Sequence, residues 1–196
     1  MSSNIKTKKV CFVTIGATAG FNALIQATLS AAFLEALKAS GYTDLRLQYG
    51  KDGEKFLKTY QASIEGDAGI KVSGFDFNKE GLGWEMRACK GEDGETEGVV
   101  ISHAGSGSIL ASLRIAVPII VVPNPALLDN HQVELAEALA AQGYVIHGHL
   151  NDLPSALRKC EASRKKSKNW PPPNRGHDPL GKGLAGVMDD EMGFVD

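Results

Sequence analysis

The stretch 99-VVISHAGSGSIL-110 decides how the chain is read. Four apolar or small residues suited to a buried strand run into a histidine and two closely spaced glycines, and Ile109, Leu110 and Leu113 then recur at helical spacing. This is strand, glycine turn, helix. In an open parallel sheet such turns lie beyond the carboxyl ends of the strands, where ligands bind. Glycine permits close backbone approach, and the unsatisfied N–H groups and dipole of a helix N-terminus favour an anion. The natural guest is a phosphate or diphosphate, with Ser106 and Ser108 supplying hydroxyl donors.

The same unit recurs on both sides. Residues 9–15, KVCFVTI, form a buried-strand pattern that ends at Gly16, and the loop 16-GATAG-20 offers a second anion-binding edge. Leu24, Ile25, Leu29, Phe33, Leu34 and Leu37 predict one helix over 21–37, stopped by Gly41. Strands are expected over 45–49, 70–77, 117–122 and 144–146, and helices over 53–62, 132–142 and 153–163, the last capped by Asn151 or Asp152. Between 78 and 98 only residues 83–89 have a helical pattern. The alternation predicts an α/β fold, a Rossmann-like mostly parallel sheet with helices on both faces.

At 196 residues the chain fits one such domain and leaves little room for a second. A net charge of -2 argues against bulk attraction to nucleic acid. The apolar run 115–122 is too short to cross a bilayer, and the start MSSNIKTKK lacks the apolar core of a signal peptide, so a cytosolic chain is expected. Cys11, Cys89 and Cys160 are widely separated and odd in number, which fits reduced thiols; neither their spacing nor the acids predict a metal site. Residues 1–168 are assigned to the domain. Residues 169–183, with three consecutive prolines, read as a linker, and 184–196 read as a docking segment carrying Val187, Met188, Met192 and Phe194.

The glycine turn fails three familiar tests. GSGSIL supplies two of the three glycines of a dinucleotide fingerprint, Ala104 and Ser108 replace the outer glycines of a nucleophile elbow around Ser106, and no lysine precedes a serine as in a P-loop. A phosphate-bearing ligand survives these tests. A second cluster, 123-PNPALLDNHQVELA-136, sets Asn124, Asn130, His131 and Gln132 before another helix at the same end of the sheet, and such side chains suit sugar hydroxyls and amides. Close packing of strand and helix is the competing role for the glycines, helix capping for Asn130, and a structural hydrogen bond for His103.

Residues 99–144 together with VCFVTIGATAGFNALI and GFDF at 74–77 resemble the donor-binding half of the GT-B glycosyltransferases related to the bacterial peptidoglycan N-acetylglucosaminyltransferase. Within that group they look like the small cytosolic subunits of the eukaryotic UDP-GlcNAc transferases that make the second sugar addition to dolichol-diphosphate. The resemblance implies the nucleotide-sugar half of a two-domain enzyme, its acceptor half a separate membrane-anchored subunit at the cytosolic face of the endoplasmic reticulum. It implies UDP-GlcNAc as donor, a lipid-diphosphate-sugar as acceptor, and no cofactor. Gly16, Ala17, Thr18, His103, Gly105, Ser106, Gly107 and Ser108 would line the diphosphate. Asn124, Asn130, His131 and Gln132 would meet the sugar or ribose, and Val187, Met188, Met192 and Phe194 the partner. Two positions depart from the pattern: Asn22 and Ala111 stand where acidic residues are usual.

The expected chemistry is an inverting, metal-independent transfer, with UDP leaving toward helix N-termini and the general base supplied by the partner or the interface. Two alternatives differ in kind. The absent acids at Asn22 and Ala111 favour a binding module without catalysis of its own, and the sheet alone would also serve an oxidoreductase of the Rossmann type.

Overall fold

The computed structural model describes residues 8–16, 20–63, 69–91, 96–126 and 131–166. Strand β1, Val10–Thr14, is buried along its whole length, as its unbroken apolar run requires of a central strand. Two helices follow it, α1 (Asn22–Thr28) and α2 (Ala31–Ala39), where the apolar spacing predicts one. The break is local chemistry. Ser30 is extended at φ -67 and ψ 146, and its hydroxyl accepts from the Phe33 N–H at 3.3 Å, so a cap replaces helix continuation. Gly41, at φ 77, ends the second helix as expected.

Next come β2 (Asp44–Gln48), α3 (Gly50–Ser63), β3 (Lys71–Phe75) and α4 (Gly83–Ala88), the last on the one segment of 78–98 with a helical pattern. The expected strand 70–77 stops at Phe75, because Asp76 and Phe77 turn away at the rim. Then follow β4 (Val99–Ser102), α5 (Ser106–Ile115), β5 (Ile119–Val121) and α6 (His131–Ala141). The last strand, β6, is Ile146–His147 rather than 144–146, and a 3₁₀ turn, Leu150–Asp152, leads into α7 (Leu153–Lys166). Asp152 Oδ1 accepts from the Ser155 N–H at 3.2 Å, the capping bond expected of it.

All strands are parallel, in the order β3-β2-β1-β4-β5-β6. Chain order therefore reverses between β1 and β4, and beyond the carboxyl ends of strands at such a reversal lies the crevice in which open parallel sheets bind ligands. Alternation along the strands divides the core. Cys11, Val13, Leu45, Leu47 and Ile101 meet α1, α2, α3 and α7, whereas Val10, Phe12, Val100, Ile119 and Val121 meet α4, α5 and α6. The three cysteines are free and buried, and burial pushes the Cys89 and Cys160 thiols up to about 12. No described helix is long and apolar enough to cross a membrane.

Helix α7 is fixed to the amino-terminal end of the sheet by charge. Lys9 Nζ, nearly enclosed, donates to Glu161 Oε2 at 3.0 Å and to the Ser40 carbonyl at 3.0 Å, and the Tyr42 hydroxyl donates to Glu161 Oε1 at 2.7 Å. Arg164 donates to the Glu97 and Gly98 carbonyls and pairs with Glu161 at 3.2 Å. Removing one member of a buried pair leaves its partner uncompensated. Glu161→Leu is expected to lower the unfolding free energy by about 3–5 kcal/mol, read from urea denaturation.

Candidate functional site

The rim of the crevice is built around the loop that leaves β1. His103 follows β4, and its N–H donates to the Thr14 carbonyl at 3.4 Å. The imidazole lies between two glycine backbones: a Cβ on Gly16 would sit 2.4 Å from His103 Cε1, and one on Gly105 would sit 2.2 Å from Nε2. Both glycines are needed for the ring to fit. Gly16 also has φ 76, a conformation that side chains rarely adopt. Burial lowers the His103 pKa, so the ring is neutral at neutral pH.

The glycine turn is shorter than its sequence predicts, since α5 begins at Ser106 and Ser106, Gly107 and Ser108 form its first turn. Gly105 precedes them, and no side chain caps the helix there. The N–H groups of that turn therefore have no intrahelical acceptor. The two glycines of HAGSGS do different jobs. The missing side chain of Gly105 makes room for His103, and that of Gly107, with nothing within 4 Å of its Cβ position, keeps the approach to the helix end open.

On the β5 side, Asn124 is buried and its amide is engaged. Its Oδ1 accepts from the Ala126 N–H at 3.1 Å, its Nδ2 donates to the Gly20 carbonyl at 3.4 Å, and its own N–H donates to Gln132 Oε1 at 3.3 Å. Asn124 and Gln132 are thus brought together and tied to the loop after β1. His131 opens α6. Ala17, Thr18 and Asn130, like Val187, Met188, Met192 and Phe194, lie outside the described residues, as do the linker and docking segment. Ala111 packs against the apolar cluster beneath α5.

Sequence reasoning missed the other wall. A cavity of about 290 Å³ opens beside Gly16, lined by Asn22, Gln48, Tyr49, Lys51, Asp76 and Phe77 among others. Phe77 is 56% exposed at its mouth, and Asn22 Oδ1 is enclosed without a hydrogen-bond partner among the described residues. Strand β2 reads DLRLQ, so Gln48 continues the polar phase of Asp44 and Arg46, and only the structure shows that it is buried, just before Gly50 with φ 66. The rim as a whole offers a helix N-terminus, hydroxyls and an adjoining cavity with aromatic and amide walls. That set can hold a diphosphate joined to a ring system.

Comparison with known proteins agrees with this arrangement. Residues 10–174 match the glycosyltransferase family 28 C-terminal domain. Among curated relatives, the chain is 35% identical over 144 residues to the UDP-N-acetylglucosamine transferase subunit ALG13 of Yarrowia lipolytica, covering 73% of this chain and 66% of that protein. The subunit of the same name from Cryptococcus neoformans var. neoformans is 35% identical over 201 residues, covering 93% and 96%. Among solved structures, the solution structure of ALG13 superposes with a TM-score of 0.64 at 29% identity, covering 90% of this chain and 94% of that one. Acinetobacter baumannii MurG shares the fold at a TM-score of 0.52 and 20% identity, the match taking in 42% of its chain. With a six-stranded parallel sheet, a crevice at the reversal of strand order and a family match along most of its length, the chain belongs to the glycosyltransferase family 28 C-terminal domain family.

Proposed function

We propose that this protein is the nucleotide-sugar-binding subunit of a UDP-GlcNAc transferase, active with a second, membrane-anchored subunit that holds a lipid-diphosphate-sugar acceptor. The observation that carries the reading is the uncapped first turn of α5 at Ser106, Gly107 and Ser108, which follows β4 at the point where strand order reverses beside β1. Relatives with 35% identity bear the name of a UDP-N-acetylglucosamine transferase subunit, which supports both the donor and the need for a partner.

The diphosphate is assigned to that helix end, where backbone N–H groups, the hydroxyls of Ser106 and Ser108 and the helix dipole oppose its charge. The base and ribose are assigned to the cavity beside Gly16, whose Tyr49 and Phe77 provide aromatic surface. The reaction is an inverting displacement: the acceptor hydroxyl attacks the anomeric carbon, the bond from that carbon to the diphosphate oxygen breaks, and UDP departs with the negative charge. Fixed dipoles stabilise that charge best when they need not reorganise, so the pathway we assign uses no metal. His103 lies between Gly16 and Gly105, and we assign it the spacing of the two loops. The base that takes the acceptor proton comes from the partner or the interface. Val187, Met188, Met192 and Phe194 remain our assignment for partner contact, and the complex is placed on the cytosolic face of the endoplasmic reticulum.

The direct test is transfer of radiolabelled GlcNAc from UDP-GlcNAc to a GlcNAc-diphosphate-lipid by this protein, by the membrane subunit, and by both together. Activity confined to the mixture is expected. An inactive complex that still binds UDP would leave a binding module.

Two substitutions separate ligand approach from packing. Gly107→Asp adds a carboxylate to the first turn of a helix, which the dipole tolerates, so thermal stability should hold while UDP affinity drops at least about ten-fold in calorimetry. Gly105→Ala should instead lower thermal stability, because its methyl group meets the His103 ring.

The pH dependence of stability follows from His103. Its folded pKa is depressed, so the unfolded chain binds more protons, and stability is intact above the unfolded value of about 6.5 and declines as pH falls through it. His147, also depressed by burial, contributes the same sign. Melting curves from about pH 7.5 to about pH 5.5 should show a shallower decline for His103→Gln than for wild type, the His147 share being common to both.

A further inference from the structure

We propose that Gln48 is a positioning residue for the donor, joining the loop after β1 and the turn after β3 into one rigid wall of the site. The proposal rests on the donor-binding reading above. Gln48 ends β2 and is only 2% exposed. Its side-chain oxygen accepts from the Thr14 hydroxyl at 2.6 Å and from the Ile15 N–H at 3.2 Å. Its side-chain nitrogen donates to the Gly16 carbonyl at 2.9 Å and to the Asp76 carbonyl at 3.2 Å. Both lone pairs and both N–H groups of the amide are used. The orientation is fixed by its partners, since a flipped amide would aim N–H at N–H and oxygen at two carbonyls.

This inventory goes beyond fixing one strand to another. The ladder already pairs Gln48 with Thr14 on one side and with Phe75 on the other. What the side chain adds is a hold on groups that lie past the ends of the strands. Gly16 and Asp76 belong to different loops and both line the cavity, as does Gln48 itself. Thr14 completes the arrangement, because its hydroxyl also accepts from the Gly16 N–H at 3.1 Å. Gly16 is therefore held through its N–H and its carbonyl on one side while its α-carbon faces His103 on the other. Movement of Gly16 would alter the His103 contact and, through it, the approach to Gly105 and α5.

Residue type matters at each of the four contacts. Glutamate fills the same space but cannot donate to the two carbonyls, and methionine fills it without meeting any of the four groups. Asparagine is shorter by one methylene and cannot span from Ile15 to Asp76 from the same Cα. Both Gln48→Glu and Gln48→Met should loosen the wall, the first selectively on its donor side. A protonated carboxyl regains one donor, so the glutamate variant should bind better as pH falls. That recovery is a signature that mere loss of packing does not produce.

The experiment uses the full chain. UDP binding is measured by calorimetry for wild type, Gln48→Glu and Gln48→Met across pH, with thermal melting to fix the folded fraction at each point. The wild-type series accounts for Lys51, Asp52 and Asp76 in the cavity and for His103 across Gly16. Expected is an affinity loss of about ten-fold or more in both variants, with the Gln48→Glu loss shrinking toward low pH. Unchanged affinity in the folded fraction, or equal loss in Gln48→Glu at every pH, overturns the positioning role. Wild type that fails to bind UDP sinks the donor reading instead. The clamp is then judged by amide exchange, where faster exchange at Gly16 and Phe77 relative to β4 and β5 supports it and unaltered exchange rejects it.

Discussion

A central strand buried on both faces cannot let the loop beyond it float, because every main-chain group at its end has to find a partner where water is scarce. In this protein β1 is that strand, and its continuation is held from three directions. Gln48 reaches in from β2 and also holds the turn after β3, His103 packs in from β4, and Asn124 meets Gly20 from the loop after β5. The crevice has its shape because these constraints converge on residues 16 and 20. In the proposed reading, phosphate recognition at α5 and ring recognition in the neighbouring cavity both depend on the hold on Gly16 and Gly20.

The distribution of polar groups follows the same logic. Side chains that meet carbonyls and amides inside the rim, such as Gln48, Thr14 and Asn124, are spent on the protein. The first turn of α5 carries no side-chain cap, and the buried oxygen of Asn22 has no hydrogen-bond partner among the described residues. An acceptor enclosed without a donor costs free energy in the empty site, roughly 1–3 kcal/mol, and a ligand N–H or hydroxyl that meets it recovers that cost. Neutral His103 fits this division as a spacer.

Much of the fold is legible in the residues. Apolar periodicity locates most strands and most helices, since a parallel sheet demands apolar runs such as VCFVT and IIV. The single helix read across 21–37 failed because Ser30 supplies a hydroxyl where an apolar count sees only spacing. The glycine turn was legible as a strand-to-helix junction, but the different surroundings of Gly105 and Gly107 were not, because a sequence does not show which neighbour fills the space a missing Cβ leaves. The wall formed by Gln48, Asp76 and Phe77 was illegible for a related reason. Parallel topology gathers the ends of strands that are distant in sequence, and no local pattern records that meeting.

The pairing of β1 with β4 has a consequence for how the molecule comes into being. Val13 lies beside Ile101, so one wall of the crevice cannot exist until most of the chain has been synthesised. The β1–β2–β3 half can pair early, since its contacts are nearer in sequence, and it then presents an unfilled edge at β1 that the later half must find. Closing that edge brings His103 against Gly16. Nascent or truncated chains that keep the first three strands intact would hold the residues of the cavity beside Gly16 but lack His103 and the first turn of α5, so engagement of that helix end reports complete folding.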